Sequence, residues 1–371
     1  MTQMIIPVFE ESTQQIIHGD CLEEMGKIYS NAISAIVTDP PYGLSFMGKV
    51  WDNAVPGSDY WKACLRIIKP GGFLLAMGGT RTFHRLALSI EEAGFDIRDT
   101  IMWIYGSGFP KSHNRFGLEG YGTALKPVYE PIIMAMKPLD GTFKQNAEKW
   151  GQAGINIDGC RVGIEERFNP PTTKGKTASL GSLENCHGEG NKVKGRWPAN
   201  AIFDEEAGAL LDEQSGQSKS RDGFISITKG SDSICADSKG MFSEGKINTF
   251  QGHGDSGGAS RFFYCAKASS RERNEGLEGL PDKIGGGMCS TVSGDTRTGH
   301  ITIQKNNHPT VKPLKLMEYL IRLVMPPKDG ILLDPFAGSG TTILAAKRLG
   351  FNAIGIEKQK EYCDIANARL L

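Results

Sequence analysis

What the chain lacks narrows its function first. Its 371 residues carry 42 Lys and Arg against 42 Asp and Glu, so it has no net charge. A partner that is a polyanion would then have to be held by locally arranged charge, not by a bulk basic excess. Eight cysteines are present, but no C-x-x-C pair and no Cys/His cluster with zinc spacing. That argues against a zinc module, and free thiols in a reducing compartment are expected. A membrane-spanning helix needs about 20 consecutive apolar residues, and no run here is that long. The start, MTQMIIPVFEESTQQ, has no basic region followed by a long apolar core, so no signal peptide is expected and a cytosolic protein is.

What is present begins with Asp39-Pro40-Pro41-Tyr42-Gly43, directly after the apolar run Ala35-Ile36-Val37-Thr38. The run reads as a short buried strand. Two consecutive prolines fix φ and remove two backbone donors, and Asp39 is pushed towards extended geometry by the proline after it. The expected result is a rigid platform at the carboxyl edge of a sheet, where open α/β folds bind ligands. It projects a carboxylate, the Pro40 carbonyl and a phenol ring. Such a platform suits an exocyclic amine on a nucleobase, whose lone pair is delocalised into the ring. Two acceptors drawing on the NH2 localise that pair, and a Tyr face stacks on a base lifted out of its duplex. The bland reading is a proline-stiffened strand exit with Asp as a turn residue.

A second stretch weighs against the bland reading. Gly330 to Asp334 reads as a strand, Pro335-Phe336-Ala337-Gly338-Ser339-Gly340-Thr341 as a glycine turn, and Thr342 to Leu349 as a helix stopped at Gly350. The next strand, Asn352 to Ile356, ends on Glu357 and is followed by Lys358. Glycines let a ligand approach the backbone, and an acid at the end of the following strand is placed for ribose hydroxyls.

Together, DPPYG and DPFAGSGTT resemble the amino-methyltransferases that use S-adenosylmethionine to methylate DNA bases. DPPY precedes the glycine motif, as in the circularly permuted beta group, and DPPY is more typical of adenine-N6 than of cytosine-N4 enzymes. The resemblance covers roughly residues 12–140 and 306–371. It implies a doubly wound, mostly parallel, seven-stranded Rossmann-like α/β sheet, permuted. Residues 1–140 and 306–371 would form the catalytic and cofactor-binding parts, and 141–305 an inserted, loop-rich target-recognition region. The implied partner is double-stranded DNA, and the implied location the nucleoid of a prokaryote or phage. The resembling group often works as paired chains or beside a restriction nuclease; the sequence leaves both open.

The resemblance also assigns roles. Asp39, Pro40, Pro41 and Tyr42 would hold the target base. Asp334, Phe336, Ala337, Gly338, Ser339, Gly340 and Thr341 would seat the cofactor, with Glu357 on its ribose and Lys358 adjacent. Asp20 and Cys21, after the strand Gln15 to His18, match the position beside the cofactor's adenine; Asp20 also reads as a helix N-cap. His308-Pro309-Thr310-Val311-Lys312-Pro313 matches a stretch near the cofactor's methionine end. Lys312 would pair with the carboxylate and Thr310 donate a hydrogen bond, the bland reading being a helix-start lysine facing water.

Between these stretches, helices are expected at Leu22 to Ile28, Ser58 to Ile68 (ended by Pro70-Gly71-Gly72), Thr82 to Glu92, Leu314 to Val324 and Lys358 to Leu371. Strands are expected at Phe73 to Met77, Thr100 to Ile104, Pro127 to Met136 and Phe262 to Ala266. Leu44 to Pro56, with Phe46 and Trp51, reads as a closing loop. Tyr105 to His113 reads as either a wall of the base pocket or an ordinary strand exit. Glu130 falls inside a buried strand and needs a partner the sequence does not name. Arg167 to Asn200 holds an excess of four positive charges, with Trp197 after Arg196, suited to phosphate. Gly216 to Gly258 reads as disordered without DNA, and Lys283 to Gly299 as a linker.

Overall fold

The computed structural model describes residues 13–44, 52–108, 112, 116–169, 191–219, 223–225, 248–250, 255–266, 277, 283–284, 303–304, 306, 308, 311–327 and 330–371. The chain divides into two compact units: residues 1–160, 199–207 and 264–371, and residues 161–198 and 208–263.

The first unit is built on one sheet. Its strands are β1 (Gln14–His18), β2 (Ile33–Thr38), β3 (Ile68–Met77), β4 (Asp96–Ile104), β5 (Tyr129–Met136), β6 (Ala201–Asp204), β7 (Tyr264–Ala266), β8 (Ile331–Asp334) and β9 (Asn352–Glu357). They lie in the order β1-β9-β8-β2-β3-β5-β4-β6-β7. Every neighbouring pair is parallel except the two that involve β5. The seven-stranded sheet expected from the resemblance is therefore extended to nine. The reason is apolar: Ile202 of β6 and Ala266 of β7 are buried, and Met102 N bonds the Asn200 carbonyl at 2.9 Å.

Central strands covered on both faces should be apolar throughout, and all six residues of β2 are buried. Alternation then assigns the faces. Ala35, Val37, Phe73 and Leu75 join one cluster with Leu316, Leu320, Ile343 and Leu344. Ile36, Leu74 and Ala76 join the other, with Met25, Trp61, Leu86 and Ile90. Helices α1 (Cys21–Gly26), α2 (Ser58–Ile67) and α3 (Phe83–Glu92) thus cover one face. Helices α6 (Leu314–Val324) and α7 (Thr341–Arg348) cover the other, and α8 (Lys360–Leu370) follows β9.

One boundary differs from expectation. Pro70-Gly71-Gly72 does not separate helix from strand but lies inside β3, which starts at Ile68. The β2–β3 register shifts there, and Gly71 at φ +72° gives the bulge its left-handed residue. The second compact unit begins at Arg161. Residues 141–160 stay with the sheet because α4 (Phe143–Trp150) is capped by Thr142 and Gln145 and buries Asn146. The Asn146 side chain donates to the carbonyls of Pro70 (2.9 Å) and Gln152 (2.6 Å).

In the second unit, Val162–Asn169 pairs antiparallel with Asn191–Arg196. Helix α5 (Glu205–Ser215) ends in this unit. Arg196, counted above towards a basic patch, is instead buried: it donates to Asp255, which Arg261 also binds at 3.1 Å. Both guanidinium groups lie over the Phe262 ring, at 4.9 and 4.3 Å. Lys192 and Lys194 are exposed, as is Trp197, with Arg161 at 5.5 Å from its ring. Phe46, Trp51, Lys111, His113, Lys174 and Lys176 lie outside the described residues, as do most of Gly216 to Gly258 and Lys283 to Gly299.

Candidate active site

The sheet order reverses between β8 and β2, and there the ends of neighbouring parallel strands diverge to opposite helical layers. Ligands of open α/β sheets bind outside the carboxyl ends at such a point. In this protein β8 ends on Asp334 and β2 on Thr38, directly before Asp39. A cavity of about 660 Å³ opens over these ends, within the size range of small-molecule sites.

One side of the cavity is formed by the glycine turn. Asp334 is buried; its carboxylate accepts from Thr38 Oγ1 (2.6 Å) and Phe336 N (3.0 Å). Burial pushes its carboxyl up to about 6, against those hydrogen bonds and with the nearby Asp39 charge adding to the rise. Gly338 at φ +52° leaves no room for a side chain, since a Cβ there would come within 2.8 Å of the His308 ring. Gly340 at φ +77° starts α7, and a Cβ there would meet Ala366 at 2.7 Å. Ala337, Gly338, Ser339 and Thr341 line the cavity, but the Ser339 and Thr341 side chains are already engaged. Asn306 donates to Ser339 Oγ at 3.2 Å, and Arg369 to Thr341 Oγ1 at 2.9 Å.

Glu357 ends β9, and its two carboxylate oxygens accept from Gly338 N (2.9 Å) and Gln359 N (2.7 Å). Burial raises its carboxyl above the ordinary value, partly offset by those backbone donors. Asp20 does cap α1, accepting from Leu22 N at 3.0 Å, and Lys358 bonds its other oxygen at 3.1 Å. Burial opposes ionisation of Asp20, but Lys358 and the backbone donors outweigh it and hold the carboxyl below its ordinary value. Beside it, burial pushes the Cys21 thiol up to about 12, so it is no nucleophile. Phe336 packs between Tyr60 and Trp61, ring centroids 6.0 and 6.4 Å away. The His308 ring meets Tyr362 edge-on at 4.5 Å. Thr310 is outside the described residues.

The other side of the cavity is formed by the proline platform. Pro40 is buried, and Asp39, Pro41 and Tyr42 are half-buried. The prolines are not its only brace. Asp52, buried, accepts from Tyr42 N (2.6 Å), Gly43 N (2.9 Å) and Leu44 N (3.3 Å). Thr82 Oγ1 donates to the Tyr42 carbonyl at 2.6 Å. The Tyr42 hydroxyl lies 2.8 Å from Asp39 Oδ1 and 2.9 Å from Glu130 Oε2. Glu130 reaches this side because β5 is antiparallel, so its first residues lie at the edge where the other strands end.

Lys312 completes the group. Its ammonium is 2.9 Å from Asp39 Oδ2, 3.1 Å from Glu130 Oε2 and 3.2 Å from the Tyr42 hydroxyl. Burial disfavours the charged amine, but the two carboxylates outweigh it and hold Lys312 above its ordinary value. Burial and the same carboxylates keep the Tyr42 hydroxyl protonated well beyond its usual range. Lys312 thus contacts the platform at three points. Trp103 and Tyr105, ring centroids 5.2 Å apart, line the cavity next to this cluster. Trp103 Nε1 is buried and finds no hydrogen-bond partner among the described residues.

Sequence reasoning missed Asp52, Arg369 and the partners of Glu130. A buried acid among glycines and prolines is the only local signal for the first. Among the described residues, no group of His, Cys, Asp or Glu has the geometry of a metal site, and no helix is long and apolar enough to cross a membrane.

Fold and site together define an open α/β protein with a nucleotide-type glycine turn facing a carboxylate–proline–tyrosine platform. The chain belongs to the DNA methylase family, whose N6/N4 sequence profile matches residues 33–368. It is 28% identical over 177 residues to the DNA adenine methyltransferase YhdJ of Escherichia coli (strain K12), spanning 44% of this chain and 54% of that protein. It is 48% identical over 80 residues to the Type II methyltransferase M2.DpnII of Streptococcus pneumoniae, spanning 20% of this chain and 30% of that one. The chain thus spans about half the length of the first relative and under a third of the second. Among solved structures, PvuII DNA methyltransferase (cytosine-N4-specific) is similar at 17% identity and TM-score 0.48, covering 97% of this chain and 87% of that one. The M1.HpyAVI–SAM complex is similar at 20% identity and TM-score 0.42, covering 97% and 100%. Similarity at that level carries no weight for the reaction.

Proposed function

We propose that the protein transfers the methyl group of S-adenosylmethionine to the exocyclic N6 amine of adenine in double-stranded DNA. One observation carries this reading: the Asp39–Tyr42 platform and the Asp334–Thr341 glycine turn, far apart in sequence, line a single cavity. Family membership supports a DNA base as the methyl acceptor. The aspartate that opens the platform motif, and the name of the E. coli relative, favour adenine over cytosine.

The donor set suits the cofactor. Asp334 offers a carboxylate to an ammonium group, Glu357 retains acceptor capacity for ribose hydroxyls, and the glycine turn brings backbone close to a ligand. When bound, S-adenosylmethionine supplies a methyl group on a sulfonium, whose leaving group is a neutral thioether that needs no acid. The chain's own task is orientation. Asp39 and the Pro40 carbonyl accept hydrogen bonds from the target NH2 and localise its lone pair, and the Tyr42 ring stacks on the base. The proton shed by the methylated nitrogen leaves to Asp39 or to water. The exposed cations and Trp197 of the second unit would contribute to contacts with DNA phosphate.

Sequencing DNA from cells expressing the protein, with the modified base and its flanking motif both read, tests this. N6-methyladenine at a fixed motif supports the reading; N4-methylcytosine would replace the target base, and unmodified DNA would remove the reading altogether.

A further inference from the structure

Lys312 is the buried cation that touches the platform, and its three polar contacts all lie on the target side: Asp39, Glu130 and Tyr42. Its side chain is 9% exposed, while Asp39 and Glu130 are 18% and 23% exposed. The Tyr42 hydroxyl has one proton and two carboxylate oxygens within reach, so it donates to one acid at a time. Two carboxylates held this close by a shared hydroxyl repel unless a cation lies between them. Lys312 is that cation.

We propose that Lys312 and Glu130 are positioning residues for Asp39: Lys312 holds the Asp39 carboxylate aimed as an acceptor for the target amine, and Glu130 anchors Lys312 in place. The proposal rests on the function given above and assigns Lys312 to the target side of the site instead of the cofactor side. Its charge surroundings come from four elements. Asp39 and Tyr42 follow β2 and Glu130 is on β5; Tyr105, at the end of β4, feels both Lys312 and Glu130. Asp334, at the end of β8, feels Asp39.

A positioning role separates the methyl-transfer rate from cofactor binding and is rescued by another cation at the same place, a pattern that loss of packing does not give. The test is single-turnover methyl transfer to DNA, at saturating S-adenosylmethionine, for wild type, Lys312→Met, Lys312→Arg and Glu130→Gln. Equilibrium cofactor binding is measured on the same proteins. In Lys312→Met the transfer rate falls about a hundredfold. Lys312→Arg recovers about tenfold of that loss, and Glu130→Gln lowers the rate about tenfold. Cofactor affinity changes by less than about tenfold throughout. A transfer rate in both Lys312→Met and Glu130→Gln within about threefold of wild type overturns the proposal. Should Lys312→Met fail to fold, the rate of Glu130→Gln decides alone. A wild-type protein that transfers no methyl group to any DNA would defeat the functional reading itself, a separate outcome.

Discussion

Arg369, near the end of the last helix, donates to the Ser339 carbonyl at 2.8 Å and to Thr341 Oγ1 at 2.9 Å, so the chain's final turn fixes the glycine loop. Arg369 is 5% exposed, and loss of its guanidinium leaves a buried carbonyl and hydroxyl short of a donor. Arg369→Met should lower stability by roughly 1–3 kcal/mol. It should also weaken cofactor binding, although Arg369 is not among the residues that line the cavity. Urea denaturation together with calorimetric titration of S-adenosylmethionine checks both. Unchanged affinity in a folded variant would mean that the glycine loop holds its shape without Arg369.

Asp52 makes a comparable prediction for the platform. Three successive backbone N–H groups, from Tyr42 to Leu44, converge on its carboxylate. Asp52→Ala removes all three acceptor contacts from a site that is 2% exposed. The expected cost is about 2–4 kcal/mol. Methyl transfer should fall more steeply than cofactor affinity, because Tyr42 and not the glycine turn loses its support. Thermal denaturation and a transfer assay with cofactor titration measure this split.

How much of this was legible beforehand follows from the range of each interaction. Helix α6 begins and ends where its apolar spacing places it, at Leu314 and Val324, and α7 follows the glycine turn within a residue. Such elements are local: periodicity and a left-handed glycine specify them without reference to the rest of the chain. Glu130 showed the opposite case. Its place in a strand was predictable, but its partner Lys312 arrives from a helix start far along the sequence. Asp52 and Arg369 are in the same position, since each acts on backbone that folding alone brings near. The strand Ala201–Asp204 is too short to carry a period, and sheet pairing with β4 defines it; Tyr264–Ala266, expected from its apolar run, pairs with it in turn. Pro70-Gly71-Gly72 had the composition of a terminator, yet neighbouring strands absorb it as a bulge.

Asp334 gives the site a pH dependence with a definite sign. Burial raises its carboxyl to about 6 from an ordinary 3.8. An acid with a raised folded pKa keeps a proton that the unfolded chain has released. Its contribution to stability is therefore most favourable below 3.8 and is lost as pH rises towards about 6. Asp334→Asn abolishes that term, so its stability relative to wild type should improve across this window as pH increases. Affinity for S-adenosylmethionine should behave conversely in the wild type: the ionised carboxylate attracts the cofactor's ammonium, so binding strengthens as pH passes 6. In Asp334→Asn that rise should be absent. Chemical denaturation and cofactor titration on either side of pH 6 measure the two effects.

The most direct measurement uses Asp39→Ala, with tritiated methyl transferred from S-adenosylmethionine to DNA in a single turnover and cofactor binding measured in parallel. If a proline-braced carboxylate holds the target amine, the variant binds cofactor within about tenfold of wild type while transfer falls by about a thousandfold or more. Transfer near the wild-type rate in Asp39→Ala, with the cofactor bound, would contradict the account.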